Sequence, residues 1–314
     1  MADNYSVDII VPVYNEEQNI PVLCGKLLES GFPIHKIILV DDGSSDGSLA
    51  VCKELQLKNK LIEYISFSKN FGHQAALKAG YDFADADCVI TMDGDMQHPV
   101  GMINVLIEKW LEGFHVVNTV RNDKKEKKWF KKYSSLYYYK LLSLCTSIDI
   151  RPGTADFRLL DRKVVEVCKK IDENPIFWRG IVPWLGFKQA YIEYVPEKRL
   201  FGTSKYSLKK MINLAWSGIS SFSLLPLRIA TFLGVVQILL SVCYFLYIAI
   251  MYLFSDVEPG WSSIMLVLLV TSGFQMFFLG ILGEYVGKIF MSDKKRPNYI
   301  IESSSINKDY MNDK

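Results

Sequence analysis

The chain has 314 residues, 50% of them hydrophobic, and a formal net charge of +2. It can bury a full domain with apolar sequence left over. Its basic residues cluster locally at 121–132, ahead of an aromatic and aliphatic stretch, which argues against nucleic acid as a partner. The six cysteines, Cys24, Cys52, Cys88, Cys145, Cys168 and Cys243, show no C-x-x-C pair and no histidine at metal-ligand spacing. They read as small buried hydrophobes of a reducing compartment. The polar N-terminus, residues 1–6, has no signal-peptide pattern, so the first domain is expected on the cytoplasmic side.

Residues 7–13 form the first predicted strand. Asn15 is placed to cap a helix that opens on Glu16 and Glu17 and runs to about Ser30, before Gly31. A second strand, 36–40, ends in Asp41-Asp42-Gly43-Ser44-Ser45-Asp46-Gly47. A helix at 48–55, a strand at 62–67 and a helix opened by Asn70-Phe71-Gly72-His73 and closed at Gly80 follow. Strands and helices in this alternation give parallel strands with right-handed crossovers, and ligands gather at the carboxyl ends of such strands.

The fourth strand starts at Cys88 and runs out into Asp93-Gly94-Asp95-Met96-Gln97-His98-Pro99. Alternation would put Asp93, Asp95 and Gln97 on one side if the extended geometry persists. Two carboxylates and a carboxamide make an all-oxygen set suited to Mg²⁺ or Mn²⁺, and Mg²⁺ takes much of its shell from water and substrate phosphates. A solvated acidic turn is the plain alternative. Against it stands the convergence of Pro12, Tyr14, Glu16, Asp42, Asp93 and Asp95 on the carboxyl ends of parallel strands. No G-x-G-x-x-G follows the first strand and no G-x-x-x-x-G-K-[ST] occurs, so the usual dinucleotide and P-loop fingerprints are excluded.

A further strand, 113–120, delivers Arg121. The segment 121–145 then alternates lysines, Lys131 and Lys132 among them, with aromatic and leucine side chains, as an amphipathic helix at an anionic membrane surface does; an ordinary surface helix is the alternative. Asp161 and Arg162 fit a local ion pair at a helix start. Residues 199–206 are glycine-containing and cationic, and 207–227 read as an amphipathic interface segment. No charged residue occurs in 229–254 or in 261–283, and each stretch exceeds the ~20 residues that cross a bilayer. The connector 255–260 lacks Lys and Arg, whereas Arg228 precedes the first stretch and Lys288, Lys294, Lys295 and Arg296 follow the second. The positive-inside rule therefore puts both flanks in the cytoplasm. The tail from Ser303 is polar and expected to be disordered.

Six motifs in order, Val-Pro-Val-Tyr-Asn-Glu, Val-Asp-Asp-Gly-Ser-Ser-Asp, Lys-Asn-Phe-Gly-His-Gln-Ala-Ala, Met-Asp-Gly-Asp-Met-Gln-His-Pro, Asp-Phe-Arg-Leu-Leu-Asp-Arg and Phe-Gly-Thr-Ser-Lys-Tyr-Ser, resemble those of family 2 glycosyltransferases. More narrowly they are similar to the polyprenyl-phosphate glycosyltransferases, which include dolichol-phosphate mannose synthase and the bacterial enzymes making undecaprenyl-phosphate glucose. The resemblance implies an α/β fold of the GT-A type, Rossmann-like with a mainly parallel sheet, over residues 1–205. After it would come an interface helix at 206–227, a two-helix transmembrane hairpin at 228–291 and a polar tail at 292–314. It implies that Pro12, Tyr14, Glu16 and Asp42 line the nucleotide pocket, with Asp42 toward the base, and that Asp93 faces the ribose and sugar. Asp95 and Gln97 would hold the metal, Arg121 and Lys132 would receive the lipid phosphate, and Asp156 would be a base or orient the acceptor. Arg199 and Lys205 would neutralise the leaving group.

The implied reaction is inverting transfer of a hexose from a nucleotide-diphosphate sugar to polyprenyl phosphate at the cytoplasmic face of the cell membrane, by a homo-oligomer packed through its spans. UDP-glucose is the first choice of donor by overall similarity; GDP-mannose, UDP-galactose and amino sugars stay open, because the configuration of one hydroxyl depends on pocket details. A processive synthase is disfavoured by the lack of a Q-x-x-R-W motif, and a transporter by the scarcity of polar residues deep in the spans. A nucleotide-sugar-binding protein without catalysis is the remaining reading.

Overall fold

The computed structural model describes residues 5–122, 151, 153–173, 176–197, 225–254 and 260–306. The chain divides into two compact units, one of residues 1–211 with 297–314 and the other of residues 212–296.

In the first unit, apolar β-branched runs make β1 (Val7–Val13), β2 (Ile34–Asp41), β3 (Ile62–Phe67) and β4 (Cys88–Thr91). They alternate with α1 (Asn19–Glu29), α2 (Ser48–Lys58) and α3 (His73–Phe83). Then come α4 (Met102–Leu111), β5 (Val116–Arg121), β6 (Thr154–Asp161), α5 (Arg162–Lys170), α6 (Trp178–Trp184), β7 (Gln189–Tyr194) and β8 (Ile301–Ser304). The sheet order is β7-β5-β6-β4-β1-β2-β3-β8. The pairs β1–β2, β1–β4, β2–β3 and β5–β7 are parallel, while β6 runs antiparallel to both β4 and β5, and β8 antiparallel to β3. The result is a mixed, mainly parallel α/β sheet. The chain steps outward from β1 through β3 and returns to the other side of β1 as β4. The carboxyl ends of β1 and β4 thus flank a topological switch point, where open α/β sheets leave a crevice.

Several elements differ from the sequence reading for identifiable reasons. Asn15 does not cap α1, which starts four residues later. Its backbone has φ 55°, and its side chain accepts from the Ser45 N–H at 2.8 Å, tying the β1 turn to the β2 turn. Gly80 does not close α3, because it serves packing: a Cβ there would lie 2.3 Å from Ile10 Cγ2, so only glycine lets α3 settle on β1. Ser303 and Ser304, the first residues of the tail expected to be disordered, instead end β8, and residues 307–314 lie outside the described residues. Tyr299, just ahead of β8, stacks on Phe67 with ring centroids 5.1 Å apart and donates its hydroxyl to Asp82 Oδ2 at 2.8 Å. Cys24, Cys52, Cys88 and Cys168 are buried and unpaired.

The second unit contains α7 (Leu225–Phe254) and α8 (Trp261–Asp293). Among the described residues, the stretch Val270–Asp293 is long and apolar enough to cross a membrane.

Candidate active site

The turns that follow β1 and β2 are laced together. Asn15 N–H donates to Ser44 Oγ, Glu16 N–H to Ser48 Oγ at 2.9 Å, and Gly47 N–H to Glu17 Oε2. Pro12 is buried in register with Val40, Tyr14 is 40% exposed, and Glu16 accepts from Asn19 Nδ2. Asp42 is buried, and its carboxylate accepts from the backbone N–H groups of Phe71, at 2.6 Å, and Gly72. Burial pushes its pKa up, against the lowering effect of those two N–H groups. Asp42 thus staples the β2 turn to the loop before α3.

The strand geometry of β4 stops at Thr91, and Met96 has φ 63°, so Asp93, Asp95 and Gln97 do not lie on a continued strand. Their exposure nevertheless alternates: these three are partly exposed, whereas Met92, Gly94, Met96 and His98 are buried. Asp95 Oδ1 accepts from the Gln97 N–H at 3.1 Å, which shapes the turn. Asp93 N–H donates to His98 Nδ1 at 3.0 Å, a contact that needs Nδ1 unprotonated. Burial lowers the His98 pKa, and the ring stacks on Phe157 at 4.7 Å. The Asp93 carboxylate faces two imidazoles, His73 Nε2 at 3.5 Å and His98 Nε2 at 3.7 Å.

On the other side of β4, Asp156 of β6 is 3% exposed and surrounded by cations. Arg158 NH2 donates to Oδ1 at 2.7 Å; Arg179 donates to Oδ2 from Nε at 3.0 Å and NH2 at 2.8 Å; His73 Nε2 lies 3.6 Å from Oδ2. Burial alone would raise its pKa, but the charges of Arg179 and Arg158 and the His73 hydrogen bond hold the carboxyl well below the usual carboxylate range. The converse holds for His73: burial lowers its pKa, and Asp156 with Asp93 more than reverse that. Thr91 Oγ1 donates to the Asp156 carbonyl, so the β4–β6 pair carries the acidic turn and the cationic cluster on adjacent strands. Arg121, at the end of β5, donates to Gln97 Oε1 at 3.0 Å. Lys132, Arg199, Lys205 and most of the segments 121–145 and 206–227 lie outside the described residues.

The oxygens of Asp93, Asp95 and Gln97 are the hard donors that Mg²⁺ or Mn²⁺ takes. A second group able to ligate, Asp8, His35 and Asp85, lies at the amino-terminal ends of β1 and β2 and before β4, away from the acidic turn at the end of β4. Asp8 there accepts from the N–H groups of Asp85 and Ala86, and Lys36 pairs with Asp85, so this group latches the lower edge of the sheet.

Sequence reasoning missed His73, His98, Arg158 and Arg179 as site residues. A signal was present for the last of these: Arg179 is the only charged side chain between Ile176 and Phe187. A lone cation in an apolar stretch needs a buried partner or a ligand.

The sequence profile of glycosyl transferase family 2 matches residues 8–168, and that of the GtrB C-terminal hairpin matches 225–289. The chain is 40% identical over 308 residues to an uncharacterized glycosyltransferase, YkcC, of Bacillus subtilis, covering 97% of this chain and 95% of the relative. It is 36% identical over 303 residues to the bactoprenol glucosyl transferase of Shigella phage SfII, covering 95% and 98%. Among solved structures, glucosyl-3-phosphoglycerate synthase of Mycobacterium tuberculosis, in complex with Mn²⁺, UDP-glucose and phosphoglyceric acid, is similar with a TM-score of 0.48 and 14% identity, over 70% of this chain and 79% of that one.

Proposed function

Since the chain belongs to glycosyl transferase family 2 and carries the GtrB C-terminal hairpin, we infer that it transfers glucose from UDP-glucose to undecaprenyl phosphate. The reaction takes place at the cytoplasmic face of a membrane into which α7 and α8 insert as a two-span hairpin. The observation that supports this best is the two-sidedness of the site. The turns after β1 and β2, with Pro12, Tyr14, Glu16 and Asp42, are the nucleotide side, and the cations attached to β5 and β6 are the acceptor side. The acidic turn after β4 stands between them.

In this reading Asp95 and Gln97 would hold the cation and Asp93 would face the ribose and sugar; the cation would supply charge to offset that developing on the departing diphosphate. Arg199 and Lys205 add to the same neutralisation. A phosphate oxygen of the acceptor attacks the anomeric carbon from the face opposite the diphosphate. The carbon–oxygen bond to the diphosphate breaks, the nucleoside diphosphate leaves with the electron pair, and configuration inverts. A phosphate monoester, with a second pKa near 6, attacks as its dianion, so no proton has to be removed. Asp156, already ion-paired through both oxygens, is poorly suited as a base and well suited to fixing cations.

The test is extraction of labelled sugar into organic solvent from purified protein, undecaprenyl phosphate, Mg²⁺ or Mn²⁺ and a panel of nucleotide sugars. Lipid-soluble label from UDP-glucose alone is expected. Label from another donor would correct the sugar, and no label from any donor would overturn the transferase reading.

A further inference from the structure

Resting on the transfer reading above, in which Asp93 faces the ribose and sugar, we propose that His73 and His98 are positioning residues that hold the Asp93 carboxylate toward the sugar of the donor. Among the described residues, the two imidazoles are the side-chain partners of that carboxylate. His73 Nε2 lies 3.5 Å from Oδ1 and His98 Nε2 lies 3.7 Å from Oδ2, while the Asp93 side chain stays 40% exposed. Neither contact is as short as a hydrogen bond. The carboxylate is thus steered at both oxygens and keeps acceptor capacity for a hydroxyl group.

His98 is fixed in both place and tautomer. Its ring is buried, stacks on Phe157 with centroids 4.7 Å apart and planes 11° from parallel, and meets Tyr194 edge-on at 5.8 Å. Nδ1 accepts the backbone N–H of Asp93 at 3.0 Å, so the neutral ring carries its hydrogen on Nε2, the atom that faces Oδ2. One ring therefore holds Asp93 by its backbone and directs its side chain. A neutral donor in that place orients the carboxylate without cancelling its charge.

His73 is held from both sides at the start of α3. The N–H groups of Phe71 and Gly72 donate to the Asp42 carboxylate, and the next side chain, Gln74, accepts the Trp178 N–H at 2.8 Å through Oε1. His73 Nε2 also lies 3.6 Å from Asp156 Oδ2, but Asp156 has Arg158 and Arg179 as counter-charges besides. Removing the imidazole of His73 therefore leaves Asp156 ion-paired and leaves the Asp93 carboxylate with His98 alone. Preorganisation runs across the site in this way: Asp42, on the proposed nucleotide side, fixes the loop whose imidazole steers the carboxylate at the sugar.

The test uses the full chain in detergent micelles with Mn²⁺. Binding of UDP-glucose and of UDP is measured by calorimetry for the native protein, His73→Asn, His73→Gln, His98→Asn and Asp93→Asn, and for His73→Asn and His98→Asn each combined with Asp93→Asn. Asparagine reaches only as far as Nδ1 of an imidazole, so both changes remove the Nε2–H, and in His98→Asn the amide oxygen can still accept the Asp93 N–H. Each is expected to lower the ratio of UDP-glucose affinity to UDP affinity about threefold to tenfold, with UDP affinity itself within about twofold. Each loss should shrink to within about twofold once Asp93→Asn is present, because both histidines act through that carboxylate. His73→Gln, whose amide reaches the position of Nε2, should keep most of the ratio. Equal falls for UDP-glucose and UDP, or losses that add in full to that of Asp93→Asn, overturn the proposal, as does a native protein that does not bind UDP-glucose. If His98→Asn does not fold, His73→Asn and His73→Gln decide by the same cycle. Coupling to Asp93 in a protein that transfers no sugar would uphold this assignment and sink the transferase reading. Transfer from UDP-glucose with a ratio indifferent to both histidines would do the reverse.

Discussion

Asp156 and Arg158 form an ion pair with almost no solvent contact, and such pairs are expensive to break from one side only. Asp156→Ala should cost about 3 to 5 kcal/mol of folding stability, read from denaturant unfolding, since it leaves Arg158 charged in the core. Its proton affinity gives the pH sign. The Asp156 carboxyl titrates lower in the folded chain than in the unfolded one, so its stabilisation is present above the usual carboxylate range and is lost as pH falls toward the folded value. Acid unfolding of the native protein should therefore be steeper with pH than that of Asp156→Ala. At Asp95 the effect belongs to the reaction instead. Asp95→Asn should lower transfer by about 100-fold or more at saturating metal, with UDP affinity in chelator unchanged. Equal losses in both measurements would mean that Asp95 shapes the pocket rather than holding the cation.

At the scale of elements, Gly80 is where α3 meets β1. Gly80→Ala would drive a methyl into Ile10, costing about 1 to 3 kcal/mol, and a second change, Ile10→Ala, should recover part of that loss. A strictly additive double mutant would show that the close approach is not what the glycine serves. The same position shows why a sequence reading places elements better than it bounds them. β1, β2 and β4 were legible because each holds a run of apolar, largely β-branched residues, Ile9–Val11, Ile37–Val40 and Val89–Ile90 among them, as strands buried on both faces do. β6 was not, because Asp156 and Arg158 interrupt its hydropathy, and only the fold shows that they neutralise each other. β8, Ile-Glu-Ser-Ser, has no core-like pattern at all and is a strand only because the edge of β3 is there to pair with it. In the site, the acidic turn could be read from its spacing, whereas Arg121 was singled out by the family resemblance. The cations around Asp156 could not, since α6 reaches them from 23 residues away through Arg179.

For the whole molecule, the consequence of β8 is that the catalytic unit is joined to the membrane-type hairpin by the chain twice, once near residue 211 and again near 297. A domain held by one flexible linker samples a wide volume, and the effective concentration of its site at a bilayer-borne phosphate is correspondingly low; a second tether restricts that volume. β8, the stacked Tyr299–Phe67 pair and the Tyr299–Asp82 hydrogen bond anchor the chain after residue 297 to the sheet of the first unit. Deleting residues 297–314 while keeping the hairpin should therefore lower transfer to undecaprenyl phosphate in vesicles by about tenfold, and leave UDP affinity within about twofold. It should also bare the outer edge of β3, raising the tendency to aggregate. Vesicles are the needed medium, because in micelles acceptor and enzyme meet without the constraint that the second tether supplies. If transfer falls equally in vesicles and micelles, β8 acts on the stability of the sheet. If it falls in vesicles alone, the strand also sets how the site is presented to the bilayer.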